Sequence, residues 1–221
     1  PFHTSQSIRT FHMNIPVYHI QAGERSGHID GMSRHAIARF SHVHLAANQD
    51  AADRLLRFGE QPFRVHQIGA PQLDEISDLL DHPSFQLPND IATNINECKY
   101  CILAFHPVSE DFASSQTELQ NILYCLNTLP LKVIVIYPNS DPGNAYIRQT
   151  YDSISSPQYV FYKNLDRYTY LKLLQGSEVL IGNSSSGIIE APLLNIPAVN
   201  VGRRQHGRLR GLNVIDCTKE Y

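Results

Sequence analysis

The chain has 221 residues, enough for one large domain or two small α/β domains, each with a real core. Its formal net charge is −3, from 18 basic and 21 acidic residues scattered along the chain, which leaves no basic stripe for nucleic acid. No stretch approaches the roughly 18 apolar residues of a membrane span and none reads as a signal peptide, so a cytoplasmic protein without a membrane partner is expected.

In chain order, short apolar runs alternate with amphipathic or polar segments of helical length. Strands are predicted over residues 16–20, 43–47, 64–68, 101–105, 132–137, 159–162, 179–181, 198–201 and 214–217. Helices between them include 49–58, capped by Asn48, then 110–128 and 165–174. This alternation predicts an α/β protein with doubly wound parallel sheets. The stretch 81–97 contains Pro83 and Pro88 and has no clear period, so it reads as a linker. Residues 1–80 are then the C-terminal part of an N-terminal Rossmann-like domain, and residues 98–221 a second one. Three strands before the linker are few for a parallel sheet. The opening Pro1-Phe2-His3-Thr4, with no initiator methionine and a strand expected soon after, reads as part of a longer protein.

Four cysteines, Cys98, Cys101, Cys125 and Cys217, are too few and too scattered for a disulfide scaffold. Cys98 and Cys101 form a Cys-x-x-Cys without a second such pair, and Cys101 opens an apolar run, so buried thiols are expected there in preference to zinc or redox chemistry. His42 and His44 share a strand face with His35 upstream. Without a carboxylate at matching spacing they read as packed histidines, and no metal is expected.

Residues 181–192, Ile-Gly-Asn-Ser-Ser-Ser-Gly-Ile-Ile-Glu-Ala-Pro, carry the most chemistry. They read as a buried strand ending in a glycine turn that re-enters the fold as a helix. Such a turn aims N–H groups from Ser184 to Gly187 at one spot, a site for phosphate. Asn183, Ser184, Ser185 and Ser186 add donors without bulk, Gly182 and Gly187 permit close approach, and Glu190 offers a carboxylate for ribose hydroxyls. The run is neither a P-loop nor a Gly-x-Gly-x-x-Gly motif. The competing reading is an ordinary turn in which Ser184 or Ser185 caps the helix and Glu190 complements its dipole.

In open parallel sheets ligands sit beyond the carboxyl ends of the strands, and with two such domains the cleft between them is the expected site. The polar groups gather at those ends. The first strand is followed by a loop with Glu24 and Asp30, the strand at 101–105 by His106-Pro107-Val108-Ser109-Glu110, and that at 132–137 by Pro138-Asn139-Ser140-Asp141-Pro142-Gly143. Arg34 and His35 read either as substrate-binding groups or as helix-face partners in a salt bridge.

These motifs together carry a resemblance. His19-Ile20-Gln21-Ala22-Gly23-Glu24, Ile29-Asp30 with Arg34-His35-Ala36-Ile37, Phe105-His106-Pro107-Val108, Tyr137-Pro138-Asn139-Ser140-Asp141, and residues 181–192 with Arg203, Gln205, Gly207 and Arg208 resemble the hydrolysing UDP-N-acetylglucosamine 2-epimerases, in order, over residues 12–217. The epimerase domain of the animal bifunctional epimerase/kinase is a more distant likeness. The resemblance implies a glycosyltransferase-B-like fold of two Rossmann-like domains with the first incomplete, a UDP-sugar substrate, no cofactor, and a homodimer in the complete enzyme. The implied reaction eliminates UDP with loss of the C2 proton to a glycal, then hydrates it to N-acetylmannosamine for sialic acid or related nonulosonate synthesis.

By the same resemblance Glu24 and Asp30 are acid/base groups and His106 faces the departing phosphate. Ser185, Ser186 and Gly187 form the phosphate cradle, Glu190 holds the ribose, and Arg203 or Arg208 pairs with the phosphates. Asn139 joins the substrate-binding set. Where many relatives carry Asp-Asp, this chain has Asp30-Gly31. The readings that stay open are a UDP-sugar-dependent glycosyltransferase of the same fold, a 2-epimerase for a diacetamido UDP-sugar, and a nucleotide-sugar-binding remnant.

Overall fold

In a computed structural model of the chain, the structure describes residues 2–25, 30–74, 76, 78, 86–95, 98–108, 111–139 and 143–217. The chain divides into two compact units, Pro1–Glu75 with His206–Leu209, and Ile76–Gln205 with Arg210–Tyr221.

The first unit is built on a three-stranded parallel sheet, β1 (Tyr18–Ile20), β2 (Val43–Ala46) and β3 (Val65–Gln67), in that order. Helices α1 (Phe2–His12), α2 (Asp30–Arg39) and α3 (Gln49–Arg57) accompany it. Helix α3 starts where predicted, because the Asn48 side chain accepts from the Ala51 N–H at 2.9 Å in an extended N-cap conformation. Its buried residues Ala51, Ala52 and Leu55 share one face and meet Ala22, Ala38 and Ala46, with Val65 packed alongside. A core of five alanines and one leucine lets backbones approach closely.

Helix α1 was not expected: Phe2–His12 is rich in Ser, Thr and His, poor helix formers, and has no clean apolar period. Tertiary packing overrides that propensity. The helix lies against α2, and the Phe11 ring meets Phe40 edge-on at 5.9 Å.

The second unit holds a six-stranded parallel sheet of β4 (Tyr100–Ala104), β5 (Lys132–Ile136), β6 (Tyr159–Tyr162), β7 (Val179–Gly182), β8 (Ala198–Val201) and β9 (Val214–Cys217). The spatial order is β6-β5-β4-β7-β8-β9, the doubly wound order whose direction reverses between β4 and β7. Every residue of β4 is buried, as a central strand covered on both faces requires, which is why it reads as an unbroken apolar run. Its Cys101 and Leu103, with Phe105, pack against Leu119 and Leu126 of α5 (Phe112–Leu126) and against Val133, Val135, Ile147 and Tyr151.

Within the stretch expected to be a linker, Asn89–Ile95 forms α4 with Ile91 buried, and the Pro88 carbonyl accepts from Ala92 N–H at 2.9 Å. Pro88 thus stands immediately before a helix and its carbonyl accepts the first helical hydrogen bond, so the proline that suggested a linker belongs to a helix start. Residues 81–85 and 96–97 of that stretch lie outside the described residues. Helices α6 (Asn144–Asp152) and α7 (Arg167–Gln175) complete the larger elements. Helix α7 starts two residues later than the sequence suggested, because Asp166 caps it, accepting from Thr169 N–H at 3.0 Å. The expectation of buried thiols holds for Cys101, whose thiol burial pushes up to about 11, but Cys98 is exposed. Cys98 precedes β4, so the sheet covers only the second cysteine of the pair.

Candidate active site

The reversal between β4 and β7 is where side-chain geometry converges. At the end of β7, Gly182 takes φ +132°, and a Cβ there would lie 2.2 Å from the Ala104 carbonyl oxygen, so only glycine lets the two strand ends touch. Asn183 follows, fully buried, and its N–H donates to the same Ala104 carbonyl at 3.1 Å. Its side chain clamps the next loop: Oδ1 accepts from His106 N–H at 2.7 Å and Nδ2 donates to the His106 carbonyl at 2.8 Å. The Asn183 carbonyl in turn accepts from Arg204 Nη1 at 3.1 Å and Gln205 Nε2 at 2.8 Å. Asn183, expected as a substrate contact, spends its side chain on holding His106.

The His106 ring is half-buried, and its Nδ1 accepts from Asn139 N–H at 3.4 Å. With Nδ1 as acceptor, the neutral ring carries its proton on Nε2. The loop behind it is pinned through Ser115, whose hydroxyl accepts from Val108 N–H at 3.3 Å and donates to the Asp111 carbonyl at 3.0 Å. Asn139 is exposed, with its carbonyl accepting from the Asn144 side chain at 2.9 Å. Ser109, Glu110, Ser140 and Asp141 lie outside the described residues.

The serine turn departs from expectation in four ways. Helix α8 is the single turn Ser186–Ile189, too short to project a long helix dipole. Gly187 N–H already donates to the Ser184 carbonyl at 3.3 Å and Ser186 N–H to Ser184 Oγ at 3.3 Å. Within the turn this leaves the N–H groups of Ser184 and Ser185 without a partner among the described residues. Ser185 stands at the N-cap without a side-chain capping bond, so the simple capped-turn reading fails for it. Gly187 serves packing: a Cβ would meet that of Ala198 on β8 at 3.1 Å.

Beyond the turn, Glu190 is buried and accepts from Arg167 Nη1 at 2.9 Å, while its Oε2 has no hydrogen-bond partner among the described residues. Ser186 is also buried, and its Oγ accepts from the Tyr170 hydroxyl at 2.8 Å. Burial pushes the Tyr170 phenol up to about 12, so it stays protonated and donates. Arg167 and Tyr170 escaped the sequence reading; their spacing on a predicted helix was the available signal, but nothing in it says which face meets the serine turn. Arg203, expected on phosphate, is mostly exposed at 3.7 Å from Asp111, and its neighbour Arg204 is the one that reaches Asn183. Adjacent arginines give no sequence cue as to which turns inward.

In the first unit, Gly23 adopts φ +80°, and a Cβ would lie 2.3 Å from the Ala51 carbonyl oxygen, so the turn after β1 depends on glycine. The Gly23 carbonyl accepts from Arg54 Nη1 at 2.7 Å. Glu24 therefore leaves a fixed turn. Its carboxylate is largely buried, 3.5 Å from Arg34 and 3.8 Å from Arg208. Arg208, expected on phosphate, thus stands on Glu24, and its Nε donates to the Arg25 carbonyl at 3.3 Å. Arg34 takes the salt-bridge role weighed for it.

Asp30 opens α2, and its side chain lies outside the described residues. His35 packs edge-on against Phe58 at 4.9 Å, and burial, then Arg54 and Arg34, lower its pKa. His19 is lowered to about 4 by burial first and Arg34 next. His44 is fully buried, 3.1 Å from Glu60, and burial outweighs that partner in lowering its pKa. His42 Nδ1 accepts from Val17 N–H at 3.1 Å. These contacts make the histidines packed groups of the fold.

Residues 4–221 match the family model described as UDP-N-acetylglucosamine 2-epimerase. The chain belongs to this family. The chain is 39% identical over 216 residues to the UDP-N,N'-diacetylbacillosamine 2-epimerase (hydrolyzing) of Legionella pneumophila, covering 97% of this chain and 57% of that protein. It is 35% identical over 204 residues to the UDP-N-acetylglucosamine 2-epimerase of Neisseria meningitidis, covering 92% and 54%. Among solved structures, the Methanocaldococcus jannaschii UDP-GlcNAc 2-epimerase in complex with UDP-GlcNAc and UDP superposes with TM-score 0.73 at 17% identity, over 90% of this chain and 56% of that one. The Neisseria meningitidis enzyme bound to UDP-GlcNAc gives TM-score 0.73 at 17% identity, over 91% and 57%. The fold is therefore the glycosyltransferase-B-like fold of this epimerase family, and the chain spans about half the length of the relatives it matches. No helix among the described residues is long and apolar enough to cross a membrane.

Proposed function

We propose that the protein is a hydrolysing 2-epimerase of a UDP-2-acetamido sugar, releasing UDP and the free 2-epimeric sugar. The observation that carries this reading is the group at the β4/β7 reversal: the serine turn, His106 and the buried Glu190, whose Oε2 has no hydrogen-bond partner among the described residues. Doubly wound sheets bind nucleotides at such reversals. Glu190 takes the ribose hydroxyls, for an ionised carboxylate only accepts and a diol donates. The N–H groups of Ser184 and Ser185 take phosphate oxygens, and His106 Nε2–H meets the β-phosphate as its charge grows on leaving.

The first unit supplies acid/base chemistry. Elimination breaks the C1–O bond to UDP and the C2–H bond, and the electron pair from C2 forms the C1–C2 double bond of a glycal. Water then adds, its hydroxyl to C1 and a proton to C2 on the opposite face, so that UDP-sugar and water become UDP and the epimeric sugar. A poorly acidic C2–H needs a positioned base, and hydration needs an acid at C2. Glu24 and Asp30 fill these roles.

A diacetamido UDP-sugar as substrate is favoured by the 39% identity to the Legionella pneumophila protein of that name. UDP-N-acetylglucosamine is favoured by the Neisseria meningitidis relative, and its product would be N-acetylmannosamine. Incubation with each UDP-sugar, following UDP release, separates the two. The double variant Glu24→Gln with Asp30→Asn should abolish release while calorimetry still records UDP binding; loss of UDP binding in that variant would contradict the acid/base assignment.

A further inference from the structure

Two residues one turn apart on α7 reach the turn after β7: Arg167 Nη1 lies 2.9 Å from Glu190 Oε1, and the Tyr170 hydroxyl lies 2.8 Å from Ser186 Oγ. Glu190 is only 7% exposed, so its charge is held away from water and its orientation is set by whatever it pairs with. The guanidinium holds one carboxylate oxygen. The other, Oε2, is buried and has no hydrogen-bond partner among the described residues. A carboxylate fixed in this way presents one acceptor in a constant direction. It repels phosphate, so its partner is a neutral donor such as a sugar hydroxyl.

We propose that Arg167 is a positioning residue that sets the preference of this site for ribose over 2′-deoxyribose, by fixing the carboxylate of Glu190. The inference rests on the reading that Glu190 meets the ribose. Freed from Arg167, the carboxylate would swing between rotamers and hold the diol without constant geometry, so affinity for the ribonucleotide falls while affinity for its deoxy analogue changes little.

The test is calorimetric titration of the protein with UDP and with 2′-deoxy-UDP, for the wild type and for Arg167→Ala, Arg167→Lys and Glu190→Gln. The wild type should prefer UDP by about tenfold or more, the worth of a hydrogen bond to a charged group. Arg167→Ala and Glu190→Gln should bring the ratio close to one, and Arg167→Lys, which restores the charge without the planar fork, should recover part of it. If Arg167→Ala does not fold, the intermediate ratio of Arg167→Lys is decisive. A ratio unchanged in Arg167→Ala and Arg167→Lys, or equal weakening of both ligands, would overturn the inference. Equal binding of the two nucleotides by the wild type would overturn it as well, and leave UDP binding intact. Failure of the wild type to bind UDP at all would overturn the functional reading and the inference with it.

Discussion

The two units hold their polar groups by different means. In the second, six strands bury β4 on both faces, and the residues at its end are fixed by short contacts: Asn183 on both peptide groups of His106, Arg167 on Glu190, Tyr170 on Ser186. In the first, three strands enclose a core of alanines and Leu55, and Glu24 is held by arginines at 3.5 and 3.8 Å, distances of charge attraction more than of hydrogen bonding. The difference matches the two tasks proposed for them. A nucleotide site gains from preorganised donors and acceptors, whereas an acid/base group must be placed within reach of the proton it transfers.

The strongest way to break this comparison is to neutralise one carboxylate in each unit. Glu24→Gln should lower turnover by about 10²–10⁴-fold, the usual worth of an acid/base group, and leave UDP affinity unchanged. Glu190→Gln should chiefly weaken UDP binding, with the loss seen in KM. Steady-state kinetics beside calorimetry on both variants checks the pair. If both variants lost UDP binding alike, the division of labour would be wrong.

Next in size is Gly182→Ala, which forces a Cβ to within 2.2 Å of the Ala104 carbonyl oxygen at φ +132°. A loss of about 3–5 kcal/mol of stability is expected, read by denaturant titration. Asn183→Ala removes two hydrogen bonds to the His106 backbone and should cost about 2–3 kcal/mol in the same measurement, with weaker UDP binding as the loop relaxes.

The smallest effect is in pH. His19 is lowered from 6.5 to about 4, and His35 and His44 are lowered too. The unfolded chain therefore binds more protons than the folded one in this range. Stability is full above about pH 6.5 and falls as pH drops toward 4, with His19 contributing of order 1–2 kcal/mol after solvent screening. Hydrogen exchange should show this loss in the first unit before the second. Loss in the second unit first would contradict it.

Much of the fold was legible because parallel strands buried on both faces spell themselves as apolar runs, and all nine predicted strands exist within a few residues. Helix α1 was not legible, since packing on α2 stabilises a segment of poor helix formers. The strand-end motifs pointed to Glu24, His106 and Glu190, the residues proposed to carry the chemistry. Orientation was not written there. That Asn183 turns to His106, that Arg204 points in where Arg203 points out, and that Arg167 reaches Glu190 all depend on contacts from segments distant in sequence.

The central claim is hydrolytic epimerisation through loss of the C2 proton. The most direct measurement is proton NMR in deuterated water, with the protein incubated with UDP-N-acetylglucosamine and, separately, with the diacetamido UDP-sugar. The account predicts UDP together with the free 2-epimeric sugar carrying deuterium at C2. A product that keeps its original C2 proton, or an epimer that remains joined to UDP, would contradict it.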